Sequence, residues 1–332
     1  MRVARLHGRR DIRLHDEVVP TAAPGELLLR VRAVGICGSD LHWYDEGGIG
    51  GACLSRPLVL GHEFVGVVGE SRRVIADPAV PCGACDLCLA GQSNLCPGVR
   101  FAGHGEDDGA LREQMAWPER CLHPLPSDLG DAEATLLEPL GVAIHAVDLA
   151  HVHPGASVAV LGCGPIGLLA MQVSRAAGAC RVIATESASR PWRVAAGAKC
   201  ADAVVEADGG RECVAVRVGL GGLGADVVLE TAGEPEAVEA AIQIARPGGR
   251  VVLVGIPASD RVSFSAATAR RKGLTIAMAR RMQPVYGRAL ELVRTGRVNL
   301  AGIVTHRFPL DQCEEAMRVA AARAGMKVVV EP

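Results

Sequence analysis

The chain has 332 residues, a formal net charge of −2 from 35 Lys and Arg against 37 Asp and Glu, and 49% hydrophobic residues. This balance excludes the strongly basic surface with which proteins bind nucleic acid or anionic membranes. The N-terminal residues have no signal-peptide pattern, and no segment approaches the roughly 20 consecutive apolar residues of a membrane span, so we expect a cytoplasmic protein of two domains.

Two apolar runs, at 26–36 and 58–68, predict strands because they are rich in Val and Leu and bounded by Gly or Pro. The stretch 74–126 is dense in Gly, Pro and Cys, and we do not expect regular sheet there. From about residue 140, strand-like and helix-like runs alternate, which is typical of βαβ units and a parallel sheet. The predicted strands are 157–162, 181–186, 201–205, 225–233, 250–256 and 274–279. Two amphipathic helices that end at Gly296 and Gly325, and a closing strand, complete the chain.

A glycine-rich motif follows the first strand of the alternating region. Residues Gly162, Cys163, Gly164, Pro165, Ile166 and Gly167 form G-x-G-x-x-G between an apolar strand and a helix, the context in which this motif binds a dinucleotide. Gly162 allows the tight turn, Gly164 lets the backbone approach a pyrophosphate, and Gly167 lets helix and strand pack closely. Pro165 suits a first helical turn, where the helix N-terminus favours an anion.

The choice between NAD and NADP depends on Glu186 and Arg190. Glu186 closes the next strand about 20 residues on, where a carboxylate binds the ribose hydroxyls and repels a 2′-phosphate. We therefore predict NAD as the cofactor. Arg190 leaves NADP open, because a nearby Arg can bind a phosphate or stack on adenine.

Four cysteines within fifteen residues, Cys82, Cys85, Cys88 and Cys96, form C-x2-C-x2-C-x7-C in an irregular segment. Four thiolates satisfy a closed tetrahedral zinc site, which leaves no position for substrate and is therefore structural. An iron–sulfur cluster is the alternative, since the first three spacings also occur in ferredoxins. We predict zinc, because the neighbouring motifs suit hydride transfer.

Three further motifs carry metal-ligand and proton-transfer groups. GICGSDLH contains Cys37, Ser39, Asp40 and His42, LVLGHE contains His62 and Glu63, and LLEPLGVAIHA contains Glu138. Together with the glycine-rich and cysteine motifs, they closely resemble the zinc-containing medium-chain dehydrogenases of the alcohol dehydrogenase superfamily, within these the sorbitol, xylitol and idonate dehydrogenase branch. The resemblance covers almost the whole chain. The connection after residue 69 is about ten residues shorter than the family's.

The resemblance implies an α/β fold: a Rossmann doubly wound parallel sheet, which binds NAD, at 141–274, and a GroES-like, mostly β catalytic domain at 1–140 and 275–332 with a structural zinc lobe at about 80–97. It implies a catalytic zinc on Cys37 and His62, with Glu138 as a ligand directly or through water and with Glu63 able to exchange onto the metal. Zinc with an open position is a Lewis acid that lowers the pKa of a hydroxyl, and Ser39 relays the proton.

The implied activity is oxidation of a secondary hydroxyl of a polyol or sugar acid, in a homotetramer or homodimer with two zinc ions per chain. No Cys lies near Glu138, where simple-alcohol enzymes of the family have a third Cys ligand. Tyr44, Phe101 and Arg281 (or Arg280) match positions that contact substrate in the family. We hypothesise that His104 with Arg281 accepts a sugar-acid carboxylate; alternatively, His104 faces water.

The resemblance leaves three alternatives to polyol oxidation. They are an amino-alcohol enzyme similar to threonine 3-dehydrogenase, another secondary-alcohol dehydrogenase, and a non-catalytic NAD-binding relative. The retained zinc ligands disfavour the last of these.

Overall fold

The computed structural model describes residues 1–259 and 261–332, which form two compact units. Unit 1 comprises Met1–Glu138 and Leu300–Pro332, and unit 2 comprises Pro139–Asn299. The sequence placed residues 275–299 with the N-terminal part of the chain, whereas the structure places them in unit 2, because a strand at 275–278 joins the sheet of that unit. The assignment of the units to catalysis and NAD binding stays a prediction.

The N-terminal part of unit 1 consists mainly of short strands and irregular segments, with 3-10 turns at Ser93–Leu95 and Glu119–Cys121. Its elements are β1 (Arg2–Gly8), β2 (Asp11–Asp16), β3 (Glu26–Gly35), α1 (Gly38–Glu46), β4 (Gly48–Ile49), β5 (Ala52–Cys53), β6 (Glu63–Val68), β7 (Arg72–Ala76), β8 (Ala79–Val80), α2 (Asp86–Leu89), β9 (Arg100–Phe101), β10 (Gln114–Pro118), β11 (Leu122–Pro124) and α3 (Asp131–Ala134).

The middle of the chain alternates strand and helix, as the sequence predicted. Its elements are α4 (Leu137–Ala150), β12 (Ser157–Leu161), α5 (Pro165–Ala176), β13 (Arg181–Glu186), α6 (Pro191–Gly197), β14 (Ala203–Glu206), α7 (Glu212–Gly219), β15 (Ala225–Glu230), α8 (Pro235–Ile244), β16 (Ala245–Leu253), α9 (Ala266–Lys272), β17 (Thr275–Met278) and α10 (Tyr286–Arg294).

Unit 2 is built on a six-stranded parallel sheet in the order β14-β13-β12-β15-β16-β17. Counted from β12, this order is 3-2-1-4-5-6, the Rossmann arrangement in which ligands bind where the strand order reverses. Four of the five residues of β12 are buried, as expected for a parallel strand covered on both faces. The prediction of a doubly wound parallel sheet is therefore confirmed.

The chain returns to unit 1 through β18 (Val304–Pro309), a 3-10 turn at Leu310–Gln312, α11 (Cys313–Ala321) and β19 (Lys327–Glu331). The seven-stranded sheet of unit 1 runs in the order β11-β7-β6-β3-β19-β18, and β10 also pairs with β3. Val329 lies opposite Gly35 and Val330 opposite Val34, so the last strand lies beside the end of β3. Unit 1 is mostly β, as predicted.

Two local predictions in unit 1 are wrong. The stretch 74–126 does contribute regular sheet through β7, β10 and β11, because buried residues such as Met115 and Trp117 alternate there over runs too short to stand out among Gly and Pro. The last helix ends at Ala321 and not at Gly325. Arg323, which follows its end, adopts the left-handed conformation with φ 51°.

The short connection after residue 69 is a hairpin turn. Strands β6 and β7 pair antiparallel with Val68 opposite Arg72, which leaves residues 69–71 for the turn. Gly69 has φ 61°, a conformation that favours glycine. The shorter connection is thus accommodated by a tight turn, and β6 and β7 stay paired.

Each unit has its own apolar core. Leu29, Leu58, Phe64 and Trp117 belong to the core of unit 1, and both faces of the parallel sheet contribute buried residues in unit 2. In the part of the chain that the structure describes, no helix combines the length and the apolarity of a membrane span.

Candidate active site

Cys37 lies where β3 gives way to α1. It occupies the N-cap position of that helix, and Asp40, the third helical residue, accepts a hydrogen bond from the Cys37 backbone N–H at 2.9 Å. A carboxylate at this position satisfies an N–H group that has no partner within the helix. The spacing Cys-Gly-Ser-Asp therefore holds the Cys37 side chain at the end of a strand whose last three residues are buried.

His62 is buried against the second oxygen of the same carboxylate. Its Nδ1 lies 3.3 Å from Asp40 Oδ1, which also accepts the backbone N–H of Gly61 at 3.3 Å. A carboxylate at Nδ1 keeps the proton on that nitrogen, which leaves the lone pair of Nε2 for a metal.

Charge and burial act in opposite directions on the pKa values of His62 and Asp40. Burial alone would lower the pKa of His62, but the charges of Asp40 and Cys37 raise it well above the usual value. Burial would likewise raise the pKa of Asp40, yet His62 and the backbone N–H groups of Cys37 and Gly61 lower it. The charges around His62 therefore favour a cation at its ring, and a proton and a metal ion compete for Nε2.

Cys37, His62 and Glu63 bring their ligand atoms within 4.8 Å of one another. Zinc binds thiolate sulfur at about 2.3 Å and imidazole nitrogen at about 2.0–2.1 Å, so atoms of one coordination shell lie roughly 3–4 Å apart. The group fits zinc in donor type and in spacing. Three protein ligands leave a fourth position open to another molecule, which is the arrangement of catalytic zinc sites.

Glu63 also forms an ion pair that the sequence analysis missed. Lys327 Nζ lies 2.7 Å from both carboxylate oxygens and donates to the carbonyl oxygen of Ile36 at 3.0 Å, so its three donors are used. Burial alone would lower the pKa of Lys327, but the charge of Glu63 raises it. A Cβ at Gly35 would collide with the Glu63 carboxylate, so glycine is required there. The only sequence signal was a lone Lys in the apolar strand MKVVV.

Glu138 is buried near these groups but is not among the converging ligand atoms. Burial raises its pKa to about 8, and the charges of His62, Glu63 and Lys327 act on it. A buried carboxyl group with a raised pKa among charged partners is typical of functional sites. Its role as a zinc ligand, directly or through water, stays a prediction.

Of the two polar residues that the sequence singled out on α1, Ser39 lies near the candidate zinc ligands and His42 pairs with a carboxylate. Ser39 Oγ is 3.4 Å from His62 Nε2, the nitrogen that faces away from Asp40. His42, one turn further along the helix, pairs through Nδ1 with Glu46 Oε1 at 2.9 Å. The structure thus brings Ser39 to the predicted ligands and ties His42 to a carboxylate on its own helix.

One aromatic ring packs against His62 and leads to a small cluster of rings. The ring of Phe101 lies 5.3 Å from that of His62, and His104 lies 6.4 Å from Phe101. Trp43 packs edge-on against His104 at 5.4 Å. Of the predicted substrate residues, Phe101 and His104 are therefore close to the site.

The aromatic side chain of α1 in this cluster is Trp43, which the sequence analysis did not select. The neighbouring Tyr44 is buried, which raises its pKa, and the charges that act on its hydroxyl group come mainly from Glu314 and Asp45. Consecutive helical residues point about 100° apart, so only one of two adjacent rings can face a given neighbour. The role of Tyr44 stays a prediction. So does that of Arg281 in unit 2, whose backbone is left-handed with φ 52°.

The four clustered cysteines fit a second metal ion. The sulfur atoms of Cys82, Cys85, Cys88 and Cys96 lie within 4.8 Å of one another, and those of Cys82 and Cys88 are 4.0 Å apart. A tetrahedral zinc–thiolate shell requires sulfur separations of about 3.8 Å. Backbone N–H groups of Ala84 and Cys85 lower the pKa of Cys82 to about 6, which favours the thiolate. Four protein ligands close the shell, as expected for a structural ion.

The glycine-rich motif of unit 2 forms the turn that its spacing predicted. Gly162 has φ 104°, in the left-handed region. A Cβ at Gly167 would collide with the carbonyl oxygen of Gly162, so the helix can pack on the turn only with glycine there. Pro165 is the first residue of α5, followed by Ile166, and Gly164 is its N-cap. The turn lies at the carboxyl end of β12, next to the point where the strand order reverses.

Glu186 ends β13 beside this turn. Its Oε2 accepts the backbone N–H of Cys163 at 3.0 Å, and its Oε1 accepts that of Ser187 at 2.8 Å. Arg190 Nη1 lies 3.4 Å from Oε1. The turn, the carboxylate and the guanidinium group are therefore adjacent, which fits the ribose end of a dinucleotide.

Comparison with known proteins agrees with this chemistry. Residues 23–127 match the family described as alcohol dehydrogenase GroES-like domain, and residues 165–295 match the family described as zinc-binding dehydrogenase. A sorbitol dehydrogenase of Bacillus subtilis is 33% identical over 100% of this chain and 97% of its own.

Two solved structures are similar over nearly their whole length. A putative zinc-binding dehydrogenase from Sinorhizobium meliloti, bound to NADP, has a TM-score of 0.89 and 32% identity and covers 100% of this chain and 99% of its own. The L-idonate 5-dehydrogenase of Escherichia coli has a TM-score of 0.91 and 26% identity and covers 100% and 98%.

Proposed function

Since the chain belongs to the zinc-binding alcohol dehydrogenase family, we propose that it oxidises a secondary hydroxyl group of a polyol or sugar acid and transfers hydride to a nicotinamide dinucleotide. The observation that carries the proposal is the convergence of Cys37, His62 and Glu63 on a space that fits zinc with one open position. Retention of this donor set argues against a relative that binds the dinucleotide without catalysis.

A zinc ion held by these residues supplies Lewis acidity toward a hydroxyl oxygen, and the nicotinamide ring accepts hydride. Neighbouring side chains orient the residues that would hold the zinc ion. Asp40 fixes the ring of His62 with Nε2 available, and Lys327 holds Glu63 in place. We assign to Ser39, 3.4 Å from Nε2, the first transfer of the substrate's proton.

The substrate class rests on the surroundings of the metal group and on the relatives. Glu138 brings a second carboxyl group to the site, and the neighbouring Leu136, Leu137 and Pro139 include no thiol. Phe101 packs against His62 and His104 packs against Phe101, and this combination of an apolar and a polar ring suits a molecule with several hydroxyl groups. Sorbitol and L-idonate enzymes are among the similar proteins.

Two kinds of measurement test the activity. Reduction of NAD and NADP is followed with purified protein against neutral polyols, sugar acids, threonine and simple alcohols, and zinc is counted in the same sample. We expect turnover of a polyol or sugar acid with two zinc ions per chain, one for each ligand group. Turnover of threonine or simple alcohols alone would overturn the substrate class, and two zinc ions without any turnover would overturn the activity.

A matched pair of cysteine variants tests whether Cys37 is a zinc ligand that turnover requires. We expect Cys37→Ser to lose one zinc ion and the turnover, while Cys53→Ser, an exposed thiol outside both ligand groups, retains both. Equal activity of the two variants would contradict the assignment of Cys37.

The choice between neutral and acidic substrates is tested at His104. An imidazole that contacts a carboxylate gives a charge-assisted hydrogen bond, so we expect His104→Ala to reduce kcat/KM for sugar acids about tenfold more than for neutral polyols. An equal loss on both classes would assign His104 a packing role against Trp43 and Phe101.

We also propose that the protein functions in the cytoplasm as a homodimer or homotetramer. The twelve cysteines are free thiols, including two ligand groups that require reduced sulfur, which suits a reducing compartment. Light scattering with size-exclusion chromatography tests the assembly, and a monomeric mass at working concentration would contradict it.

A further inference from the structure

The segment from β9 to β10 contains Phe101 and His104, whose rings lie between His62 and Trp43. Phe101 ends β9, a strand of only two residues, and its ring lies 5.3 Å from that of His62. His104 follows in an irregular turn, with its ring 6.4 Å from that of Phe101 and 5.4 Å from that of Trp43. Because so short a strand has few hydrogen bonds of its own, other contacts must hold the two rings in place.

Asp107 supplies such contacts with its carboxylate and with its backbone. Its Oδ2 accepts the backbone N–H of Phe101 at 3.1 Å, and its Oδ1 accepts the Nε–H of Arg100 at 3.1 Å. Its carbonyl oxygen accepts the N–H groups of Gly103 at 2.9 Å and His104 at 3.2 Å, and its own N–H donates to the carbonyl oxygen of His104 at 3.1 Å. Asp107 therefore bonds directly to both residues that carry the rings.

The same turn is joined to the backbone that precedes His62. The N–H of Gly109 donates to the carbonyl oxygen of Val59 at 2.6 Å. A Cβ at Gly109 would collide with the carbonyl oxygens of residues 60 and 61, so the two stretches of backbone are in close contact. A displacement of the turn would therefore change the position of Phe101 relative to His62.

The acidic residues on either side of Asp107 bind other parts of unit 1. Asp108 accepts the backbone N–H of Val59 at 3.1 Å. Glu106 accepts the hydroxyl of Ser55 at 3.1 Å, but its side chain is 76% exposed, and contacts of such exposed charges contribute little. These two carboxylates attach the turn to its surroundings, whereas the carboxylate of Asp107 holds the residue whose ring contacts a candidate zinc ligand.

We propose that Asp107 is a positioning residue that holds Phe101 and His104 beside the candidate zinc ligands and thereby sets how tightly the substrate binds. The inference rests on the proposed function, because it assumes that these two rings contact a polyhydroxylated substrate. Groups that bind a substrate must be held within about 0.5 Å, and hydrogen bonds from behind them provide this precision. Asp107 is not among the converging metal ligands, so its loss should affect substrate binding more than the chemical step.

The kinetics of Asp107 variants test the assignment with the neutral polyol or sugar acid that the wild-type protein oxidises with the highest kcat/KM. We expect Asp107→Ala to raise KM about tenfold and to leave kcat within about threefold, because a lost binding contact raises KM without slowing the chemical step. Asp107→Asn should raise KM less, since its amide oxygen can still accept the N–H of Phe101. Asp11→Ala, which removes an Asp–Arg pair with Arg13 outside the turn, should keep the wild-type KM.

A protein without the two rings shows whether Asp107 acts through them. In the Phe101→Ala, His104→Ala protein neither ring remains, so the addition of Asp107→Ala should raise KM by less than about twofold. Thermal unfolding shows whether each variant is folded, and Asp107→Asn replaces Asp107→Ala in both backgrounds if the latter is not. A further rise of about tenfold without the rings would contradict the assignment.

Hydrogen exchange tests the positioning without substrate. In the zinc-loaded protein, the Phe101 amide should exchange at least about tenfold faster in Asp107→Ala than in the wild type, because it loses its acceptor. The amides of β19 should exchange at the wild-type rate. Mass spectrometry of peptides that cover both segments measures this, and unchanged exchange at Phe101 would mean that Asp107 does not hold the turn.

Two kinetic results would overturn the inference. A wild-type KM in Asp107→Ala would mean that the position of the turn does not affect substrate binding, and a lower kcat at unchanged KM would place Asp107 in the chemical step. If the wild-type protein oxidises no alcohol, the proposed function fails instead. The exchange rate of the Phe101 amide then decides by itself whether Asp107 holds the turn.

Discussion

Lys327 holds Glu63 through both carboxylate oxygens, each 2.7 Å from the ammonium nitrogen, where both side chains are buried. Glu63 follows His62 in the chain and belongs to the same ligand group, so this pair sets where one donor of the candidate zinc site lies. Removal of one partner from a buried pair leaves the other charge without compensation, which costs more than the net value of the pair.

We therefore predict that Lys327→Met lowers the free energy of unfolding by about 3–5 kcal/mol. Denaturant unfolding of the purified protein measures this. Lys327→Arg should lose less stability because it retains the charge. Lys199→Met, at an exposed lysine, is the control and should leave the free energy of unfolding unchanged. A Lys327→Met protein that unfolds at the wild-type denaturant concentration would show that the pair contributes no stability.

Asp40 is expected to act on the metal through His62. Asp40→Asn keeps the size of the side chain but removes the charge that favours the proton on Nδ1, so zinc affinity should fall about 10–100-fold. Competition with a chromophoric chelator measures the affinity. Asp45→Asn, on the same helix but paired with Arg10, should leave it unchanged; the same affinity in both variants would rule out the orienting role.

The cysteine lobe should hold its zinc independently of the candidate active site. Cys88→Ser removes one of four thiolates from a closed shell, so we expect zinc content to fall from two ions per chain to about one, with the ion at Cys37 retained. Elemental analysis and the coordination spectrum of a cobalt-substituted sample give the count and the donor set. Two zinc ions in the variant would mean that the lobe is not a four-cysteine site.

Glu138 should make the zinc-free protein less stable as the pH rises. Burial raises the folded-state pKa of Glu138 to about 8 from the ordinary 4.5, so between these values the folded protein keeps a proton that the unfolded chain has lost. The free energy of unfolding therefore falls through that window, by on the order of 3–5 kcal/mol at most, and the contribution is constant above it.

Glu138→Gln removes this contribution, so the difference in unfolding free energy between variant and wild type should grow from pH 5 to pH 8, the window that the raised pKa defines. Denaturant unfolding of zinc-free samples across this range tests it. Glu236→Gln, at an exposed position, should show a difference that does not change with pH. A constant difference for Glu138→Gln as well would mean that Glu138 is ionised throughout.

The sequence alone determined the features that depend on short spacings. Four cysteines within fifteen residues must lie close together, and Cys37 with Asp40 forms a capping arrangement within one turn of helix. The alternation of strand and helix predicted the parallel sheet, and G-x-G-x-x-G predicted its turn, because the φ of Gly162 and the packing at Gly167 are local requirements. These motifs together carried the family resemblance, which the comparisons confirm.

The tertiary structure decided the contacts that depend on strand pairing and on the direction of side chains. Lys327 meets Glu63 from 264 positions away, because β19 pairs with β3 beside Gly35 and so brings its first residue to the end of that strand. Residues 275–299 belong to unit 2 because β17 pairs with β16 in the parallel sheet. Trp43 and not Tyr44 lies beside His104, and Arg193 approaches Gly164. Both contacts depend on the rotation of a helix about its axis, which a pattern of residue types does not specify.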